Sequence, residues 1–208
     1  MRVAGIDATK DGWAAIVLKD GRFVRDELVR PVETDFSELV DIAVLAIDIP
    51  IGFGPREADR AARAYLTGAA STVFTTPSRE LLEMPFGPGL GVSAQSHALG
   101  RRILHVTELA LHDGRIREVH PEVSYRAMNG ARPLRYRKKS AGGALERLEL
   151  LRRHGIELEL RATASAPLDD VLDAAAAAWS AHRITTRKAK SLPDPPEVVD
   201  GRPVAIWY

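Results

Sequence analysis

GIDATKDGW, residues 5–13, places Asp7 directly after a short apolar run, and AIDIPIG, residues 46–52, does the same for Asp48. The apolar residues that precede each aspartate predict a short buried strand. Side chains at the carboxyl ends of strands in α/β sheets face the crevice in which ligands bind. We therefore expect both aspartates to lie at one edge of one sheet.

A pair of carboxylates at one edge of a sheet indicates a cation site. Two such groups repel each other unless a cation lies between them, and hard divalent cations prefer oxygen ligands. Asp7 and Asp48 therefore predict a site for Mg²⁺ or Mn²⁺, with one or two ions bound. A purely local interpretation is also open, because Asp-x-Pro and Asp-x-x-x-x-Gly commonly start turns and both occur here.

The composition limits the classes of protein to which the chain can belong. Its 208 residues are enough for one domain, and we expect a single domain over residues 1–208. Cysteine is absent, which excludes a disulfide framework, a thiolate nucleophile and a zinc-thiolate site. The 29 basic and 28 acidic residues nearly balance, so the net charge neither requires nor excludes a polyanionic partner.

Signals for membranes or export are not evident in the sequence. Strand-like residues follow Met1 at once, and no apolar run reaches the roughly 18 residues that a membrane span needs. A cleavable signal peptide is not expected either. We therefore predict a cytoplasmic protein without a membrane partner.

The first part of the chain predicts an antiparallel meander followed by a parallel strand. Strands are expected over residues 2–6, 13–19, 22–29 and 42–47. Asp20-Gly21 connects the second and third strands, and a two-residue Asp-Gly connection is a strong hairpin signal. Residues 34–41 are interpreted as a short helix that Thr34 caps. This order is typical of a mixed sheet flanked by helices, so the predicted fold class is α/β.

The rest of the chain is predicted to be mainly helical. A helical and irregular insertion follows the fourth strand, over approximately residues 53–112, and a fifth strand covers residues 115–119. Helices are expected over residues 56–66, 93–109, 144–154 and 167–182. Residues 187–203 are interpreted as a polar, proline-rich loop that precedes a final short strand at residues 204–207.

Further acidic residues are candidates for the same site. Glu122 follows the fifth strand, and Asp170 and Asp173 are three residues apart and share one face of a helix. Two strand-end carboxylates and a helix-borne pair can hold two divalent ions about 4 Å apart, as in-line displacement at phosphorus requires. The candidate catalytic residues are Asp7, Asp48, Glu122, Asp170 and Asp173, and the candidate metal ligands are Asp7, Asp48 and Asp173.

Structural roles remain open for some of these carboxylates. Asp170 suits the positive end of a helix dipole, and Glu122 could form an ion pair with an arginine of the insertion. Asp173 is harder to explain in this way because its neighbours in the sequence are apolar. A carboxylate near buried surface is costly unless it is paired or bound to a metal.

Basic residues cluster between residues 126 and 139, where no acidic residue occurs. Lysine and arginine neutralise phosphates and the interleaved tyrosines can stack on bases, so the cluster predicts a nucleic-acid surface. A solvated basic loop is the alternative. Arg79 would lie on a flap over the crevice, and His120 would either contact substrate or serve as a hydrogen-bonded structural residue. The candidate substrate-binding residues are Arg79, His120, Arg135, Arg137, Lys138 and Lys139.

Four motifs occur in order along the chain. They are GID at 5–7 with Gly12-Trp13, IDIPIG at 47–52, Glu118 with HPEVSY at 120–125, and DDVLDA at 169–174. Together they resemble the DUF429 family of predicted nucleases with a ribonuclease H-like fold. The resemblance implies a five-stranded sheet of order 3-2-1-4-5 whose first three strands are antiparallel. It also implies Asp7 on strand one, Asp48 at the end of strand four, and Asp170 or Asp173 on the C-terminal helix.

Metal-dependent hydrolysis of phosphodiester bonds, by a nuclease of the resolvase or ribonuclease H type, is the predicted function. Nucleic acid is the expected partner, with DNA and RNA equally compatible. A protein that binds a nucleotide or nucleic acid without cutting it is the alternative. A small-molecule phosphotransferase is a third hypothesis, although the sequence has no Gly-x-x-x-x-Gly-Lys-Ser/Thr loop. An exposed third strand at the edge of the sheet leaves a homodimer open.

Overall fold

A five-stranded sheet is the central element of the computed structural model, which describes residues 1–199 and 201–208. Its strands are β1 (Arg2–Thr9), β2 (Gly12–Lys19), β3 (Arg22–Val29), β4 (Ile42–Ile47) and β5 (Ile116–Glu118). The strand order is β3-β2-β1-β4-β5. β1 is antiparallel to β2 and parallel to β4, and β4 is parallel to β5. The predicted mixed sheet and its order are confirmed.

The connection between β2 and β3 is a two-residue hairpin turn. Asp20 and Gly21 both adopt positive φ angles, of 51° and 81°. A type I′ turn requires positive φ at both central residues and suits the twist of the flanking strands. β2 and β3 pair antiparallel on either side of this turn, which confirms the predicted meander.

Helices cover both faces of the sheet. The predicted insertion between β4 and β5 contains α1 (Glu57–Tyr65), α2 (Arg79–Glu83), α3 (Ala94–Ala98) and α4 (Gly100–His112). The helices after β5 are α5 (Pro121–Met128), α6 (Ala141–Arg153) and α7 (Leu168–Thr185). Within the described part of the chain, no helix has both the length and the apolar composition that spanning a bilayer requires.

One predicted helix of the insertion, over residues 93–109, consists of two helices. The break lies at Leu99, between α3 and α4. Gly100 begins α4, and a Cβ atom there would lie 3.3 Å from Cδ2 of Leu82. Glycine is also unfavourable in a helix interior, by about 1 kcal/mol relative to alanine. Close packing against α2 and low helix propensity therefore coincide at the break.

The two faces of the central sheet pack against different helices. Val3 and Val44 pack on one face in a core shared with α5, α6 and α7. Ile6 lies in a second core on the other face, with α4 and the segment between β3 and β4. Side chains alternate between the faces of a strand. Asp7 and Asp48 therefore point to the same face as Val3 and Val44, toward α7.

The predicted helix over residues 34–41 is wrong, because this connection between β3 and β4 is irregular. Phe36 and Asp41 have positive φ angles of 57° and 58°, which a right-handed helix excludes. The Thr34 hydroxyl oxygen accepts a hydrogen bond from the Phe36 amide at 3.2 Å. The Phe36 ring is fully buried, edge-on to Trp13. Burial of this ring outweighs the local helical pattern.

The predicted polar loop over residues 187–203 is also wrong, because most of it belongs to a two-stranded sheet. This hairpin consists of β6 (Ser191–Val199) and β7 (Arg202–Trp207) and packs against α1. The register shifts between Leu192 and Glu197, where the prolines of β6 occur. Proline cannot donate to a strand ladder and is tolerated at such irregular positions. The predicted final strand is confirmed as the end of β7.

Candidate metal centre

Asp7 and Asp48 lie on neighbouring strands in the parallel half of the sheet. Asp48 directly follows β4, and its amide donates a hydrogen bond of 2.9 Å to the carbonyl oxygen of Ile6. Asp7 lies inside β1, because β2 pairs with β1 as far as Thr9. This pairing extends β1 beyond its predicted end at residue 6. Asp7 nevertheless remains beside Asp48, because the parallel pairing of β1 with β4 ends at Ile6.

The third carboxylate comes from α7, which packs directly on β1. Gly5 makes this approach possible, because a Cβ atom at position 5 would overlap the backbone of Ala174 and Ala178. Gly5 and Asp7 are two residues apart and so face the same side of the strand. Asp173 precedes Ala174 on α7, and the close contact therefore brings it near Asp7.

The three predicted metal ligands converge. Asp7, Asp48 and Asp173 each offer one carboxylate oxygen, and these oxygens all lie within 4.8 Å of one another. Asp7 and Asp173 are buried, and Asp48 is half-buried. Oδ1 of Asp173 is buried and accepts no hydrogen bond from the residues that the structure describes. A buried oxygen without a donor is costly, so this atom is suited to contact a cation or water.

Burial raises the pKa values of all three carboxyl groups, and the charges of neighbouring aspartates add to the increase for Asp7 and Asp48. For Asp7, burial is the largest cause and the charges of Asp48 and Asp173 add to it, so its pKa lies well above the ordinary value. Burial, followed by the charge of Asp173, also raises the pKa of Asp48 well above its ordinary value. Burial raises the pKa of Asp173 to about 6, although Lys138 opposes the increase. The ionised cluster therefore favours a compensating positive charge.

Lys138 supplies such a charge from within the protein. Its ammonium group forms an ion pair with Oδ2 of Asp173. The side chain of Lys138 is 34% exposed and that of Asp173 only 4%, so the lysine reaches into the cluster from the solvent side. The sequence predicts Lys138 as part of a surface for nucleic acid. In the structure, the same residue contacts a predicted metal ligand.

Glu122 has a partner other than the aspartate cluster. It lies in the first turn of α5 and forms an ion pair with Arg147 of α6, which is almost fully buried. The Arg147 guanidinium also donates to the carbonyl oxygen of Gly143 at 3.1 Å and lies over the Tyr125 ring. The Tyr125 hydroxyl donates to the carbonyl oxygen of Leu172 at 2.6 Å. These contacts join α5, α6 and α7, and the guanidinium group of Arg147 compensates the negative charge of Glu122.

A second buried network, which is not predicted from the sequence, fixes the segment that follows Asp48. Arg56 donates to both carboxylate oxygens of Glu118, at 2.6 and 2.8 Å, and also pairs with Asp59. Glu118 accepts a further hydrogen bond of 2.8 Å from the amide of Ile51. The network thus ties β5 and α1 to the chain after β4. The available signal is the alternation in β5, which places Glu118 on the same face as Ile116, because a buried carboxylate needs a partner.

His120 and Asp170 lie outside the group of three converging aspartates. Nε2 of His120 lies 3.3 Å from the carbonyl oxygen of Thr72, and burial lowers the pKa of the imidazole. Partial burial raises the pKa of Asp170, and the charge of Asp169 adds to the increase. Of the predicted catalytic carboxylates, the structure therefore brings together the three metal ligands and leaves Glu122 and Asp170 outside this group.

The predicted basic surface is exposed in part. Arg135, Arg137 and Lys139 are open to solvent on the segment between α5 and α6. The segment is anchored because Glu146 of α6 accepts hydrogen bonds of 3.0–3.1 Å from the amides of Arg135 and Tyr136. These side chains are therefore available for a polyanion on an anchored stretch of backbone.

Other basic residues have partners within the protein. Arg126 donates to the carbonyl oxygen of Thr67 at 3.1 Å and lies over the Tyr65 ring. Arg79 lies on α2, where its guanidinium is 5.0 Å from the centre of the Phe53 ring. Among the described residues, Arg79 forms no ion pair with the aspartate cluster. Of the predicted substrate-binding residues, Lys138 is thus the one that touches the cluster.

The fold and the cluster define an α/β protein with a carboxylate centre at the edge of a 3-2-1-4-5 sheet. The model of the family described as "Protein of unknown function (DUF429)" matches residues 5–198, and the chain belongs to this family. The match includes all three aspartates of the cluster. Comparisons with curated proteins and with solved structures gave no match. The family to which the sequence motifs point is therefore confirmed.

Proposed function

We propose that this protein is a metal-dependent hydrolase that cleaves phosphodiester bonds in nucleic acid. The observation that carries the proposal is the convergence of Asp7, Asp48 and Asp173, with one oxygen from each lying within 4.8 Å of the others. Carboxylate oxygens are hard ligands, which suit Mg²⁺ or Mn²⁺ better than metals that prefer nitrogen or sulfur. The ribonuclease H-like character that the family resemblance implies agrees with this chemistry.

The residues of the cluster fit a divalent cation. Asp173 offers a buried Oδ1 without a hydrogen-bond donor among the described residues, and Asp7 and Asp48 offer oxygens close to it. Repulsion among the ionised carboxylates is costly, and the side chains that repel one another are those that would hold the ion. When bound, the cation supplies a Lewis acid that lowers the pKa of water and offsets negative charge on the phosphate.

Nucleic acid is the proposed substrate because of the basic segment beside the cluster. Arg135, Arg137 and Lys139 are exposed, and Lys138 between them contacts Asp173. Side chains of this type bind phosphates without reading bases, so they position a backbone and do not select a sequence. We therefore expect weak sequence preference and strong dependence on salt.

A protein that binds nucleic acid without cleaving it is the second candidate. The ion pair between Lys138 and Asp173 favours it, because part of the negative charge of the cluster is compensated without a metal. In this case the basic segment would bind the polyanion, and no divalent ion would produce turnover.

Hydrolysis of labelled single-stranded and double-stranded DNA and RNA, with Mn²⁺, Mg²⁺ or EDTA, tests the proposal. We expect cleavage that depends on the metal and that Asp48→Asn reduces by about 100-fold or more. Asp11→Asn is the matched control, because Asp11 is an exposed aspartate in the turn between β1 and β2. Undiminished cleavage by Asp48→Asn would contradict the proposal. Saturable binding without cleavage by the wild-type protein would favour the second candidate.

A further inference from the structure

We propose that the cluster binds a single divalent ion and that Lys138 supplies the positive charge that a second ion would otherwise bring. This inference rests on the proposed function and specifies how its centre is built. The observation that carries it is that the two carboxylate oxygens of Asp173 have different contacts. Oδ2 pairs with the Lys138 ammonium, whereas the buried Oδ1 has no hydrogen-bond partner among the described residues.

A second ion would lack ligands. In a two-ion centre the metals lie about 3.5–4 Å apart, and each needs oxygens beyond those that are shared. Glu122, Glu118 and Asp170 are the acidic residues that could extend the cluster, but the two glutamates form buried ion pairs and Asp170 is not among the carboxylates that converge. Arg147 holds Glu122, and Arg56 holds Glu118 through two hydrogen bonds. These pairs leave the three converging aspartates as the ligand set.

The charges also balance with one ion. A divalent cation and Lys138 together bring three positive charges, which match the three carboxylates that converge. A second divalent cation would leave a net positive charge in a largely buried place, and an uncompensated buried charge is costly. In the protein without substrate, one ion and the lysine therefore neutralise the three converging carboxylates.

The position of Lys138 also suits contact with a substrate. About a third of its side chain is exposed, and its neighbours Arg137 and Lys139 are open to solvent. The stem of a lysine can be covered by apolar surface while the ammonium group stays accessible. We therefore assign to Lys138 a direct contact with a phosphate oxygen of the bound backbone, next to the ion held by Asp173.

Calorimetric titration with Mn²⁺ and measurement of bound metal test the single-ion arrangement, in which Lys138 takes the place of a second ion. We expect the wild-type protein to bind one Mn²⁺ per chain. Lys138→Met keeps a stem of similar length but removes the charge, so we expect it to bind one Mn²⁺ about tenfold more tightly than the wild-type protein. Lys139→Met is the matched control, because Lys139 is exposed and has no ion pair in the described structure. Its affinity should remain within about threefold of the wild-type value.

Two results would overturn the single-ion arrangement while leaving the proposed function intact. One is binding of two Mn²⁺ ions by the wild-type protein, both lost in Asp48→Asn. The other is Lys138→Met binding Mn²⁺ no more tightly than Lys139→Met. A different result would contradict the proposed function itself. If the wild-type protein showed no Mn²⁺ binding that depends on Asp48, both proposals would be wrong.

Discussion

Gly5 on β1 and Ala178 on α7 are in direct backbone contact. A Cβ atom at position 5 would overlap the amide nitrogen of Ala178 and would lie 2.6 Å from the carbonyl carbon of Ala177. Small side chains on both elements therefore let the helix axis approach the sheet closely. Because β1 carries Asp7 and α7 carries Asp173, this contact sets the distance between two carboxylates of the cluster.

Gly5→Ala should destabilise the protein by about 3 kcal/mol, the upper end of the usual cost of overpacking, because the added methyl group meets backbone and not a movable side chain. Urea unfolding of both proteins measures the difference. Gly114→Ala is the control, since a Cβ atom there meets nothing within 4 Å, and its stability should change by less than about 0.5 kcal/mol. Equal effects of the two substitutions would show that close packing at Gly5 is not required.

The sequence identifies the strands that carry Asp7 and Asp48, because short apolar runs that end in an aspartate are local patterns. The sequence also predicts the alanine-rich helix that carries Asp173, because its composition is likewise a local pattern. The packing of this helix on β1 cannot be predicted from the sequence, because the need for glycine at position 5 becomes clear only once α7 is known to lie over it. The family resemblance supplies the order of the strands, which no local pattern contains.

Glu118→Gln should reduce the free energy of unfolding by about 2–3 kcal/mol. Arg56 keeps its ion pair with Asp59, but the substitution replaces one of the two carboxylate oxygens that accept its hydrogen bonds by an amide group that donates, so a buried donor of Arg56 is left without an acceptor. Glu57→Gln makes the same chemical change in the Glu57–Arg60 pair, where the arginine is 79% exposed. We expect a loss below about 1 kcal/mol there, as for surface pairs in general. Similar losses in both variants would contradict a dominant role for the buried network.

Residues that act through distant partners could not be assigned from the sequence. Lys138 belongs to a run of basic residues, and a run of this kind predicts a solvated or nucleic-acid-binding surface. Its contact with Asp173 joins residues far apart in the chain. For Glu122, an ion pair with an arginine of the insertion is the structural alternative to a catalytic role. The structure contains an ion pair, but its partner Arg147 lies on α6 and not in the insertion. Such pairings depend on the arrangement of the helices, which periodicity alone does not determine.

The stability of the metal-free protein should fall as the pH rises from about 4 to about 7. Asp173 has a pKa of about 6 in the folded protein against an ordinary value of 3.8, and the pKa values of Asp7 and Asp48 are also raised. Between these values the folded state binds more protons than the unfolded state, so a rise in pH lowers the free energy of unfolding. Each pKa unit corresponds to about 1.4 kcal/mol.

Asp48→Asn isolates this effect, because it removes one of the charges that repel each other. In EDTA at pH 7 the variant should be more stable than the wild-type protein by about 1–3 kcal/mol, and the difference should vanish near pH 4. Unfolding by urea at several pH values measures both. Asp11→Asn, at an exposed position, should stay within about 0.5 kcal/mol of the wild type throughout. A variant that is less stable than the wild type at pH 7 would contradict repulsion within the cluster.

Mn²⁺ should stabilise the wild-type protein and not Asp48→Asn. At a Mn²⁺ concentration 100 times the dissociation constant, a ligand that binds only the folded state stabilises it by about 2.7 kcal/mol. We expect this gain for the wild-type protein and for Asp11→Asn at pH 7.5, but not for Asp48→Asn, which lacks one ligand of the cluster. Below about pH 6 the gain should shrink, because protons compete with the metal for carboxylates whose pKa values are raised. Thermal unfolding with and without Mn²⁺ measures these shifts, and an equal shift in Asp48→Asn would place the bound ion elsewhere on the protein.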